Sequence, residues 1–426
     1  MSNQPPFQSP VGTHDVYGAE AALWEGLIAY FAQLAYRYGF SMVHTPMFED
    51  VGVFNRGIGE NSDVAKKEMY VFEDRGGRTY ALRPEGTASV VRAFVEHQPT
   101  TPFKAWYVTP AFRYERPQAG RYRQHHQVGV EVLGSEDSAV DVEVISLAWR
   151  FYQSLGLTNV RLLINSMGHS DCRGTFVVAL QDHLASHVAS LCEEHQKTFA
   201  DNPLRVLDCK KEPCIAVTDD GPTLPDYLCD ECRDHFGRVT SGLTAIGMTY
   251  TLTPRLVRGF DYYTRTTFEF VADALGSAQN AIGGGGRYDK LAEQLGGDPT
   301  SGIGFGSGIE RLLLARAAEG VTTPLINRTP DVFVVDTTGD DVATPLVDAL
   351  RSAGYATLRA FDGRSMKSQM KVADRSGARL ALLIGPQERA AGEITIRDLR
   401  SSDFEQAQQR VQSSDIIAAL QERLGK

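Results

Sequence analysis

The sequence has little cysteine, little tryptophan and no surplus of positive charge. Six cysteines in 426 residues are too few for the disulfide framework of a small secreted domain. No run approaches the roughly 20 apolar residues that a membrane helix needs. Met1 to Pro10 is polar and proline-rich, with no basic stretch leading into an apolar one, so no secretory leader is expected. These absences predict a cytoplasmic chain with reduced thiols. Acidic residues outnumber basic ones by 53 to 43, a net charge of −10. That excludes a polycation that coats nucleic acid without selectivity, but leaves local basic patches open. There is no internal repeat and no low-complexity tract. The 42% of hydrophobic residues is ordinary for a globular chain. At about 100–200 residues per domain the length suggests two to four domains.

Residues 19–38 predict an amphipathic helix, with Leu23, Leu27, Phe31 and Leu34 on one face and Gly39 as its cap. A short strand follows from Phe40 to Val43, and the run ends at Thr45-Pro46. Over 68–95 the pattern is a hairpin turning at Arg75-Gly76-Gly77, then a helix. At that junction Glu85 and Thr87 present polar groups to a helix start. The clearest β pattern is a strand over about 105–116, a polar loop, and a return over about 123–133. Residues from about 168 to 238 are helical in period, hold all six cysteines, and read as an insertion between β-rich blocks. A polar stretch over 318–330 reads as a linker. Beyond it, alternating β and α elements predict a small α/β domain with a mainly parallel sheet.

Four constellations carry chemistry. On the β-ribbon, Arg113 and Glu115 are expected on one strand face, and Gln127, Gly129 and Glu131 on one face of the return. Residues 104–123 hold five basic groups and one acid, and guanidinium groups match phosphate oxygens bidentately. The alternative is a solvated, salt-bridged hairpin. The second is Arg258-Gly-Phe-Asp-Tyr-Tyr-Thr-Arg265, where tyrosine hydroxyls stand beside an arginine and an aspartate; a buried tyrosine pair with a satisfied ion pair is the bland reading. The third, Gly283-Gly-Gly-Gly-Arg-Tyr-Asp289, brings backbone close to a ligand or another segment. It is no Walker loop, because Lys290 is followed by Leu291, and a flexible turn fits it equally. The fourth, Gly302-Ile-Gly-Phe-Gly-Ser-Gly-Ile-Glu-Arg311, alternates glycines along a strand and puts Arg311 in the first turns of a helix. Its spacing is not a dinucleotide fingerprint.

The cysteines form a further set. Cys209 and Cys214 are spaced C-x4-C, Cys229 and Cys232 C-x2-C, with His235 three further on. Four thiolates so spaced would hold one structural zinc. Reduced thiols without metal are the alternative.

Taken together, the constellations resemble class II aminoacyl-tRNA synthetases, and within them the histidyl-tRNA synthetase family. The helix and strand ending at Pro46 resemble motif 1, the dimer element. Phe112-Arg-Tyr-Glu115 through Glu131 resembles motif 2, and Gly304 to Arg311 motif 3. Arg258 to Tyr263 and Gly284 to Asp289 resemble the two histidine-specific signatures. The loop from Arg116 to Gln127 is also similar to that family. The resemblance covers nearly the whole chain.

It implies an α+β catalytic domain on a mainly antiparallel sheet over 1–325, interrupted by a helical insertion at about 168–238. A C-terminal α/β anticodon-binding domain over 331–426 would follow. It implies a homodimer that joins histidine to AMP from ATP with Mg²⁺, then passes it to the 3′ end of tRNA(His). Arg113 would hold the α-phosphate, Glu115 the adenine amino group, and Arg121 and Arg311 the outer phosphates. Glu85, Thr87 and Gln127 would take the histidine amino group. Glu131 and Tyr263 would bracket the imidazole beside Tyr262, and Arg258 would be the catalytic cation. The rival is a non-catalytic relative, a histidyl-synthetase-like regulatory subunit of ATP phosphoribosyltransferase. Such proteins commonly lose the signature arginine or the C-terminal domain, and both are present here. Residues 351–379 hold seven basic and two acidic side chains, which suits phosphate contacts on an anticodon stem; a solvated helix face is the alternative.

Overall fold

The computed structural model describes residues 7–59, 64–276, 280–401 and 408–425. The leading residues 1–6 of the polar start lie outside that description. The chain divides into two compact units, Met1–Ile326 and Asn327–Lys426.

The first unit is built on an eight-stranded sheet among the described residues. In chain order its strands are β1 (Ser41–Met42), β5 (Phe103–Phe112), β6 (Gln124–Leu133), β7 (Val160–Ser166), β8 (Thr251–Leu252), β9 (Thr264–Ala272), β10 (Ala281–Arg287) and β11 (Gly302–Gly308). Three further strands, β2 (Phe48–Asp50), β3 (Val71–Glu73) and β4 (Thr79–Leu82), form a small separate sheet. The large sheet runs β1-β5-β6-β11-β10-β9-β7-β8. Only its two outer pairs, β1 with β5 and β7 with β8, are parallel. The sheet is therefore mainly antiparallel, as the resemblance implies.

Side-chain alternation gives this sheet two unlike faces. Val128, Val130 and Val132 of β6, Ile303 and Phe305 of β11, and Phe268 and Phe270 of β9 enter the main core. There they pack with Leu27 and Phe31 of the helix Gly18–Arg37 and with Val144 and Phe151 of the helix Ser138–Ser154. Leu27 and Phe31 are fully buried, and each such side chain contributes about 1.5–3 kcal/mol. The intervening residues of the same strands, Gln127, Gly129 and Glu131, point the other way. That polar face is the floor of the site.

The insertion is helical. Ser170–Ser186 and Asp230–Ala245 bracket three short helices, Glu193–Thr198, Leu204–Leu207 and Glu212–Asp219. Its core is its own, centred on Phe176, Leu180, Leu184, Val206 and four of the cysteines.

The second unit holds β12 (Val332–Asp336), β13 (Thr357–Arg359), β14 (Leu380–Ile384), β15 (Glu393–Asp398) and β16 (Gln408–Gln412), in the order β13-β12-β14-β15-β16. β12 pairs in parallel with β13 and β14, whereas β14-β15 and β15-β16 are antiparallel. The expectation of a mainly parallel sheet is thus corrected to an even mixture. Parallel pairing stops where the crossover helices stop: β14 and β15 are joined only by the short helix Pro386–Ala391, too brief a link for a parallel return.

Candidate active site

The site begins with backbone. Arg83, 1% exposed, donates to the carbonyls of Thr45, Pro46 and Pro110, tying the segment after β1 to the end of β5. Two residues on, Glu85 caps the helix Thr87–His97. Its carboxylate accepts from the amides of Thr87 at 2.5 Å and Ala88 at 2.8 Å, where a helix start favours negative charge. Burial nonetheless raises the Glu85 pKa.

β5 ends at Phe112, so Arg113 and Glu115 are not on a strand face. They sit in the irregular turn that follows, where the Glu115 amide donates to the Arg113 carbonyl at 2.8 Å. Both still line the same cavity, of about 410 Å³. Glu85, Thr87, Arg121, Gln127, Arg258, Tyr262, Tyr263 and Arg311 line it too. The structure therefore brings together every sequence-expected substrate residue except Glu131.

Glu131 is fully buried one layer behind the wall. One carboxylate oxygen accepts from Thr87 Oγ1 at 2.8 Å and Tyr107 Oη at 3.0 Å, and the other from Tyr288 Oη at 2.5 Å. Thr87 and Tyr107 themselves line the cavity. Desolvation pushes the Glu131 pKa up to about 8, against the lowering effect of these hydroxyls.

Glycines make this floor possible. On β11, Gly304 lies against Glu131, and a Cβ there would come within 1.8 Å of its carboxylate. A Cβ on Gly129 would come within 2.4 Å of the Tyr107 ring. The run Gly283 to Gly286 is not a turn. It lies within β10, buried between β9 and β11. A Cβ on Gly284 would stand 2.7 Å from Nη1 of Arg258.

Four arginines converge on the cavity. Arg258 donates through Nη1 to Glu269 at 2.7 Å and lies over the Tyr263 ring, 5.7 Å from its centre. Arg113 donates to the Pro84 carbonyl at 2.9 Å, and Arg311 through Nη1 to the Ala281 carbonyl at 2.8 Å. Those bonds hold the two guanidiniums while leaving donors for an anion. Arg121 pairs with Glu115. Desolvation lowers the pKa of Arg113 and of Arg311, the latter helped by Arg121. Burial, then the charges of Arg113, His126, Arg311 and Arg121, push His125 down to about 3. Its ring therefore stays neutral among the arginines.

Sequence reasoning missed Tyr107, Tyr288 and His125. Tyr107 is one apolar-looking member of an alternating strand, and only its partner Gly129 hinted at a bulky neighbour. Tyr288 sits inside the quoted glycine segment without a role assigned. The cysteine set needs correction. Cys209, Cys214, Cys229 and Cys232 do not gather at one point. The first two lie with Cys192 and His195, the last two with His169 and Cys172. His235 joins neither; it is buried beside Asp141, 3.8 Å from its carboxylate.

A polar antiparallel floor, four arginines and a glycine-flattened wall define the catalytic core of a class II aminoacyl-tRNA synthetase, an enzyme. Comparison with known proteins gives the particular kind. A family model described as histidyl-tRNA synthetase matches residues 12–312, and one described as an anticodon binding domain matches 331–423. A histidine–tRNA ligase from Desulforamulus reducens is 44% identical over 420 residues, covering 97% of this chain and 99% of the relative. One from Geobacillus kaustophilus is 44% identical over 427 residues, covering 99% of each. The crystal structure of apo S. aureus histidyl-tRNA synthetase superposes with a TM-score of 0.81 at 33% identity, covering 97% of this chain and 99% of that one. The chain belongs to the histidyl-tRNA synthetase family.

Proposed function

We propose that the cavity joins L-histidine to AMP from ATP, releasing pyrophosphate, and then passes histidine to the 3′ end of tRNA(His). The observation that carries this reading is the convergence of four arginines and a polar amino-acid subsite on one cavity. Adenylate formation brings a carboxylate against the α-phosphate, two anions that repel. Fixed cations aimed at the charge gathering on the phosphorus-bound oxygens lower that barrier without a covalent enzyme intermediate.

Arg258 is the catalytic cation in this reading, bridging the histidine carboxylate and the α-phosphate. Glu269 and Tyr263 hold it in place. Arg113 takes the α-phosphate, and Arg121 and Arg311 the outer phosphates. Since Glu115 and Arg121 pair with each other, ATP would part them, freeing Glu115 to read the adenine amino group. Mg²⁺ bound to the ATP phosphates would supply neutralising charge there. The carboxylates of Glu269 and Glu310 in the wall offer the oxygen donors that suit it.

Glu85, Thr87 and Gln127 ring the amino group, with Tyr262 and Tyr263 walling the side chain. A neutral imidazole offers one donor and one acceptor. Tyr263 serves one nitrogen. Glu131 acts on the other from behind the wall, through the Thr87 and Tyr107 hydroxyls that it holds in place. A site so furnished rejects side chains that leave its polar groups unpaired, by large factors.

The helix Met366–Arg375 in the second unit carries Lys367, Lys371 and Arg375 at four-residue spacing, all exposed. That stripe suits the phosphates of an anticodon stem. A second copy of the chain suits the small sheet, where Phe48, Val71 and Phe72 are 41–50% exposed and Phe48 stacks edge-on with Phe72 and Tyr80. No helix among the described residues is long and apolar enough to cross a membrane. All six cysteines are unpaired, which suits work in the reducing cytoplasm.

Histidine-dependent exchange of labelled pyrophosphate into ATP, run against a panel of amino acids, tests the reading. Exchange with histidine alone is expected. No exchange with any amino acid would favour the regulatory-subunit reading, and exchange with another amino acid would reassign the pocket.

A further inference from the structure

Outside the catalytic cavity, the strongest unexplained chemistry lies in the insertion. Two clusters of three cysteines and one histidine each occur there, with ligand atoms within 4.8 Å of one another. In the first, Cys172 Sγ is 3.3 Å from one ring nitrogen of His169, and Cys229 Sγ is 3.5 Å from the other; Cys232 completes it. In the second, His195 Nδ1 is 3.4 Å from Cys192 Sγ and 3.5 Å from Cys214 Sγ, with Cys209 alongside. Thiolate and imidazole ligands at tetrahedral zinc, with bonds of about 2.3 and 2.0–2.1 Å, stand about 3.5 Å apart. In the second cluster both sulfurs face the same nitrogen at that separation; in the first the sulfurs face different ring nitrogens, only one of which can bind a metal, and the four ligand atoms still lie within 4.8 Å of one another.

The local backbone supports the same conclusion. Each cluster draws an x2 pair from a helix start. His169 and Cys229 are the residues before the helices Ser170–Ser186 and Asp230–Ala245, and Cys192 is the residue before Glu193–Thr198. The amides there already point at sulfur: Cys229 N–H to Cys172 Sγ at 3.3 Å, and Cys192 N–H to Cys214 Sγ at 3.3 Å. All six cysteines are unpaired with one another, so neither cluster is a disulfide. Two of the bracketed helices, of six and four residues, are too short to hold themselves. A domain with so small a core commonly needs a staple.

We propose that the insertion binds two structural zinc ions, one at His169, Cys172, Cys229 and Cys232 and one at Cys192, His195, Cys209 and Cys214. Tetrahedral sulfur and nitrogen donors with no open position select zinc and make each site structural. Both sites brace the catalytic cavity. From the helix that follows His169, Arg173 donates to the Tyr263 carbonyl. Beside the second site, Arg255 donates at 3.1 Å to the carbonyls of Leu207 and Cys209, and Asp208 between them reaches the cavity wall.

The test is metal stoichiometry on the full-length protein, purified without chelator. Elemental analysis should give two zinc ions per chain. Stepwise titration with an organomercurial should free them at one zinc per three thiols, complete at six thiols. Cys209→Ser with Cys214→Ser should leave one zinc, as should Cys229→Ser with Cys232→Ser. A total of one zinc, removed by either pair of substitutions, would mean a single shared site and overturn the proposal, as would a chain with none. If the variants do not fold, the wild-type ratio of zinc to thiols decides the matter by itself.

Discussion

Nη1 of Arg258 lies 2.7 Å from a carboxylate oxygen of Glu269, and the pair is only about one-fifth exposed. A loop arginine thereby becomes a fixed charge at the edge of β10. Arg258→Ala should lower histidine-dependent pyrophosphate exchange by about a hundredfold or more, the usual loss of one transition-state donor. Thermal unfolding should be nearly unchanged. Near-wild-type exchange in a folded variant would contradict the role given to Arg258.

Gly284 sets how close that arginine can come. A Cβ there would meet Arg258 Nη1 at 2.7 Å and the Phe268 carbonyl at 2.9 Å. Gly284→Ala should therefore lower kcat for exchange more than it raises KM for ATP. It should also destabilise the fold by about 1–3 kcal/mol through overpacking. Unchanged kcat would show that Arg258 tolerates displacement. Steady-state kinetics with denaturant unfolding separate the two effects.

Glu131 gives a pH signature. Burial raises its pKa from 4.5 to about 8, so between those values the unfolded chain is ionised while the folded chain keeps the proton. Stability then falls as pH rises across that window and levels above pH 8. Glu131→Gln removes this contribution. The variant should gain stability relative to the parent as pH goes from 5 to 8, measured by urea unfolding at each pH. Parallel curves would mean that Glu131 is ionised in the fold.

The basic stripe on the helix Met366–Arg375 should act on tRNA and not on the small substrates. Lys367→Glu with Lys371→Glu should raise KM for tRNA about tenfold or more, flatten its salt dependence and leave pyrophosphate exchange unchanged. An equal loss in exchange would show that the stripe serves the fold instead.

The sequence was most legible where chemistry and backbone coincide. Glu85, Arg113 and Arg258 stand beside glycine, proline or a strand end, Gln127 lies on a regular strand and Arg311 in the first turn of a helix, and all reach one cavity. Tyr107 and Tyr288 were hidden because their roles depend on a carboxylate 24 and 157 residues away. β16, with the sequence Gln-Gln-Arg-Val-Gln, lacks the apolar alternation that marks a strand, so the pattern does not predict this antiparallel edge and favours a mainly parallel sheet. Arg287 stands within the Gly284–Asp289 signature with no role that the sequence assigns. It is in fact fully buried against Asp141 at 2.7 Å and the carbonyls of Ser135 and Asp137. The cysteines were grouped by nearness in sequence. The fold instead crosses them, setting Cys229 against Cys172, 57 residues earlier.

The central claim is that this cavity makes histidyl-adenylate, with Arg258 supplying the decisive charge. Mass spectrometry of a single-turnover mixture of protein, ATP, Mg²⁺ and histidine with pyrophosphatase measures that product directly. About one equivalent of histidyl-adenylate per chain is predicted for the parent and almost none for Arg258→Ala. No adenylate from the parent, or equal amounts from both proteins, would contradict the account.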